Sequence, residues 1–156
     1  MSSSSNPFEE GNILYFTPFH FKNGNTPKNK YFVVVKQKDA KLLLASLPSS
    51  KDFVPSSQEK KFGCIEMPNI SFSCFIIPAF HKITQCEKHF PLETFLYGQQ
   101  LDLYDIEQLS TAYAVEGIHY EVFGKMKEDA FKLLKECFKS SAAVKMKYIR
   151  ILEAED

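Results

Sequence analysis

A chain of 156 residues, 44% hydrophobic and 24% charged, carries enough apolar surface for one core, which excludes global disorder. No apolar run approaches the roughly 18 residues of a membrane helix, so neither a span nor an anchor is indicated. The formal charge is zero but unevenly placed: residues 1–61 hold nine Lys against five acids, and the remainder ten basic residues against fourteen acids, so a local basic face is compatible with neutrality.

The Ser-rich segment 1–10 reads as a tail, and residues 11–156 as one domain. The run from Gly11 to Thr17 is rich in β-formers and is halted by Pro18, which predicts a first strand. Phe19 to Asn29, with Gly24, Pro27 and three Asn, reads as a loop. Lys30–Lys36 and Lys41–Leu47 are β-branched, aromatic or leucine-rich runs around a turn, and predict a hairpin. Alternation along these strands predicts a strongly bent antiparallel sheet with Ile13, Tyr15, Val33, Val35, Leu42 and Leu44 in the core. Pro48 to Lys61 is a Ser- and Lys-rich loop, expected to be mobile. Further short strands read at Gly63–Met67, Ser71–Pro78 and Ala79–Thr84, the spacing of a small barrel or sandwich.

The second half changes period. Asp102–Leu109 reads equally as strand or helix. Met126–Phe138 places Ala130, Phe131, Leu134, Cys137 and Phe138 on one stripe and predicts an amphipathic helix. Ser140 and Ser141 are candidate caps for a second helix, along which Val144, Tyr148, Ile151 and Leu152 recur. The fold class is therefore mostly β with C-terminal helices.

Few constellations carry chemistry. His81, Cys86 and His89 lie within nine residues, but no paired Cys-x-x-Cys accompanies them, so no metal site and no cofactor is expected. The four cysteines, widely spaced, read as free thiols of a reducing cytoplasm. No Gly-rich phosphate loop, nucleophile elbow or His-Glu-x-x-His helix occurs. Phe19-His20-Phe21-Lys22, flanked by Lys28, Lys30, Lys36 and Lys38, interleaves rings and bases as a single-stranded nucleic-acid surface does. The same pattern also fits aromatics in a core with lysines in solvent. Arg150 is the only arginine; the remaining cations are lysines, which offer phosphate a point charge rather than a planar fork.

Gly11-Asn12-Ile13-Leu14, the Pro18 to Gly24 loop, Lys30-Tyr31 before Val33-Val34-Val35, and Phe123-Gly124-Lys125-Met126 before a helix together resemble the PemK/MazF family of toxins. The resemblance implies a small SH3-like β-barrel, a homodimer, metal-independent cleavage of single-stranded RNA, and a cognate antitoxin protein as partner. It places Lys30 where the family has a catalytic Arg, and Ser49 at the family's Thr or Ser. His20, beside that site, is the candidate acid or base, and Lys22, Lys28 and Lys36 are the candidate RNA contacts. The alternative on the same fold is a non-catalytic module that binds RNA or protein.

Overall fold

The computed structural model describes residues 6–20, 22, 24, 26–47, 62–67, 72–91 and 93–154. It contains β1 (Asn12–Phe19), β2 (Lys28–Lys38), β3 (Lys41–Leu47), β4 (Gly63–Met67), β5 (Phe72–Ile77), β6 (Thr94–Tyr97), β7 (Leu101–Asp105), α1 (Ile106–Ala112), β8 (Tyr120–Lys125), α2 (Glu128–Lys139) and α3 (Met146–Glu153). The strands form two antiparallel sheets, one ordered β7-β3-β2-β1-β8 and the other β4-β5-β6. The sheets do not close into a barrel. Mostly β with C-terminal helices is therefore the fold class.

The five-stranded sheet is buried on both faces, which explains why its strands are almost continuously apolar rather than cleanly alternating. On one face Ile13, Val33, Val35, Leu43 and Ala45 meet Phe75 and Ile77 of the second sheet and Leu134, Phe138 and Tyr148 of the C-terminal helices. On the other, Leu14, Phe16, Phe32, Val34, Leu42 and Leu44 meet Leu109 of α1, Tyr113, Tyr120 and Phe8. Of the expected core set, Ile13, Val33 and Val35 lie in the first layer and Leu42 and Leu44 in the second, while Tyr15 is only half-buried.

Two irregularities re-aim side chains. β1 continues through Pro18 to Phe19 instead of stopping, because a register shift between Phe16 and Phe19 absorbs the extra residue and turns both rings to the α1 side. A second shift on β2 between Val34 and Lys36 sets Lys36 opposite Leu43, on the side of the C-terminal helices.

Other expectations change. Ala79–Thr84 is not a strand; only Thr84 bridges, to Met126, and the neighbouring residues bend back through Phe80 N–H to Phe90 O at 2.8 Å. The ambiguous Asp102–Leu109 is both elements: β7 ends at Asp105, whose carboxylate accepts from Gln108 N–H and starts α1. α2 forms as expected, but Ser140 and Ser141 do not cap α3, which begins after Lys145. Ser141 instead shares a hydrogen bond with the buried Ser73. Residues 6–10 are docked rather than frayed, with Phe8 buried, Glu9 paired with Lys125 at 2.8 Å, and Glu10 accepting from Gln37 N–H. Cys64 and Cys137 form a disulfide between β4 and α2, so the thiols are not all reduced; a separation of 73 residues hides that proximity from the sequence. Cys74 and Cys86 remain thiols. The loop read at Pro48 to Lys61 lies outside the described residues. No helix among them is long and apolar enough to cross a membrane.

Candidate functional site

Where β1 ends against α1 and β7, the surface opens into a hollow of about 510 Å³ lined by His20, Lys22, Lys41, Tyr104, Asp105 and Tyr113, among others. Aromatic packing builds its floor. Phe19 stacks on Tyr113 at 5.5 Å and meets Tyr104 edge-on at 5.8 Å. Tyr113 then accepts the backbone N–H of His20 through its hydroxyl at 2.9 Å, which fixes the chain as it leaves β1 while the imidazole stays exposed.

Two lysines reach the hollow, each with a carboxylate behind it. Lys22 Nζ lies 3.2 Å from Asp102, donates to the Leu103 carbonyl and sits 4.1 Å above the Tyr104 ring. Lys41 Nζ lies 3.3 Å from Asp105. Both lysine side chains are about half exposed, at 53% and 50%, so solvent screens each pair and neither contributes much to stability. An arriving anion can therefore displace the carboxylates at little cost.

The acid–base character follows from these contacts. The Gln108 N–H, then Lys41, hold the Asp105 carboxyl below its usual range, so it stays an anion. Burial, then the Asp102 charge, pushes the Tyr104 phenol well above its ordinary value, so it stays a neutral hydroxyl. His20 adds an exposed imidazole to the same rim.

Of the residues singled out from the sequence, His20 and Lys22 come together here. Lys28 pairs across from Phe19, one residue from His20, and is exposed. Lys30 pairs across from Phe16 and shares the face of Phe32, but neither lysine lines the hollow. Lys36 is a correction: it is 6% exposed and its ammonium donates to Ala154 O at 2.9 Å inside the fold, so it is no surface contact for RNA. Alternation along an unbroken strand had placed it outside, and the register shift reverses that. Ser49 lies outside the described residues. Lys41, Tyr104 and Tyr113 escaped the sequence reading, although Asp105 followed three residues later by Gln108 is a helix-start signal that would have fixed the end of β7.

Among the described residues no three His, Cys, Asp or Glu side chains converge as metal ligands. His81 and His89 pack instead against Phe62 and Phe80, and Cys86 lies 3.2 Å from the Thr84 hydroxyl. No family model, no curated protein and no solved structure matches the chain.

Proposed function

We propose that the chain is a diverged protein of the PemK/MazF type that binds single-stranded RNA across the His20–Lys22–Lys41 hollow, its two sheets being an opened form of the SH3-like barrel. The observation that carries this reading is the convergence of two ammoniums and an imidazole on a floor of tyrosine rings, since amines meet phosphates and rings stack on bases. Its partners in that reading are RNA, a second copy of the chain and a cognate antitoxin; a cytoplasmic place of action, expected from free thiols, loses support from the Cys64–Cys137 disulfide.

Cleavage separates the toxin from a non-catalytic binding module. In the cleaving form, His20 takes the proton of a ribose 2′-hydroxyl as its oxygen attacks the adjacent phosphorus. The bond to the 5′-oxygen breaks, that oxygen takes up a proton, and a 2′,3′-cyclic phosphate remains. The resemblance would give the charge at the crowded phosphorus to Lys30 and a hydroxyl to Ser49, whereas the ammoniums that the hollow itself offers are Lys22 and Lys41.

The test is titration of the protein with a short labelled single-stranded RNA at low salt, followed by analysis of the products. Binding that weakens in Lys22→Ala and Lys41→Ala supports the site, and a cyclic-phosphate product lost in His20→Ala supports the enzyme. Wild-type protein that neither binds nor cuts RNA at low salt defeats the proposal.

A further inference from the structure

The segment between β5 and β6 presents an aromatic side chain that the fold does not use. Phe80 is 66% exposed, yet its backbone is left-handed at φ +62°, a conformation that a bulky side chain rarely adopts and that recurs at ligand clamps. The bend is held firmly. Phe80 N–H donates to Phe90 O, Ile83 N–H to Lys88 O, Gln85 N–H to Lys125 O at 2.7 Å, and Lys127 N–H to Ile83 O. Phe80 is thus fixed in solvent on a disfavoured backbone, with the His89 ring tilted against it at 5.3 Å.

Beside it lies a second hollow of about 530 Å³, lined by Phe62, Phe80, His81, Lys82, Lys127 and Asp129 and closed below by Ala130 of α2. Phe62 and His81 stack at 4.4 Å and 13°, which makes a flat wall. Lys82 is exposed and forms no ion pair among the described residues, whereas Lys127 is paired with Glu87 at 3.0 Å. Asp129 is exposed, and its Oδ1 accepts from Ala130 N–H at 2.8 Å. Flat rings, a cation and a carboxylate acceptor therefore border one space.

We propose that this second hollow binds a nucleotide whose base carries an exocyclic amino group. The base stacks between Phe80 and the Phe62–His81 wall, the amino group donates to Asp129, and the phosphate meets Lys82. Either a free mononucleotide or one unit of a single-stranded RNA offers that chemistry, so the inference does not depend on the first hollow.

Calorimetric titration with CMP and UMP, repeated with short oligocytidine and oligouridine RNAs, tests it. CMP should bind more tightly than UMP, and Asp129→Ala should abolish that preference. Phe80→Gly should lose about tenfold in affinity while its melting temperature holds or rises, because glycine adopts the left-handed backbone freely. Lys147→Ala, which lines neither hollow, should leave CMP binding unchanged. Binding of the oligonucleotide alone, still dependent on Phe80, assigns the site to RNA; binding of CMP as well assigns it to free nucleotide. Wild-type protein that binds neither at millimolar concentration, or a Phe80→Gly variant with full affinity, overturns the proposal.

Discussion

Lys36 and Ala154, 118 residues apart, meet through a 2.9 Å hydrogen bond from the buried ammonium to the carbonyl that follows α3. A cation at a helix C-terminus meets the unsatisfied carbonyls there and the negative end of the helix dipole. The β2 bulge thereby ties the central sheet to the last helix. Lys36→Met should lower unfolding stability by about 1–3 kcal/mol in denaturant titration, since a charged hydrogen-bond donor to a carbonyl is lost. RNA affinity of the folded variant should stay at the wild-type level, and a marked loss would return Lys36 to the binding surface.

Lys22 should behave in the opposite way. Its pair with Asp102 is exposed on both sides, so Lys22→Ala should change stability by less than about 1 kcal/mol. The same variant should weaken RNA binding and reduce the slope of log affinity against log salt by about one ion. Asp102→Asn should strengthen binding, because the ammonium then no longer has a competing carboxylate. Anisotropy titrations at three salt concentrations measure all of these.

The Cys64–Cys137 disulfide closes a long loop, its ends 73 residues apart in sequence. Such a closure removes enough entropy from the unfolded chain to stabilise the fold by about 2–4 kcal/mol. Replacing both residues by Ser, or adding a thiol reductant, should lower the denaturation midpoint accordingly. Mass spectrometry after alkylation in denaturant without reductant should show two modified thiols, Cys74 and Cys86, rather than four.

Stability should also fall in alkali. An unfolded tyrosine loses its proton near pH 10, whereas burial and then the Asp102 charge keep Tyr104 protonated to higher pH in the fold. Above about pH 10 the folded chain therefore binds more protons than the unfolded one, and unfolding becomes easier as pH rises. Below that range both states keep the proton and Tyr104 contributes no pH dependence. Tyr31, Tyr120 and Tyr148 are shifted in the same direction, each first by burial. Tyr104→Phe should flatten the alkaline fall in a series of unfolding curves without abolishing it.

What the sequence made legible were the elements with one dominant signal. The β2–β3 hairpin announced itself through two β-forming runs around a turn, and α2 through its apolar stripe. β6 is only four residues long and buried throughout, so it offers no alternation to read. β8 is interrupted by a register shift opposite Ile13 and Leu14, which breaks its period. At the first hollow, His20 and Lys22 were visible because they interrupt an aromatic run. Lys41 and Tyr104 were not, because the pairing of β3 with β7 is a contact between distant segments that no local pattern encodes. The left-handed backbone at Phe80 is equally silent, since neither Gly nor Asn marks it.

The side chains around Leu103 also decide how the sheet ends. β7 is an outermost strand, and its Leu103 carbonyl is taken by the Lys22 ammonium while the Leu103 N–H is taken by the carboxylate of Asp102. A strand arriving from another molecule finds neither group available and meets a charged pair in its place, which is how natural sheets discourage edge-to-edge growth. Self-association along this border must first dislodge Lys22 from Leu103 and Asp102, so this lysine acts as a guard against polymerisation.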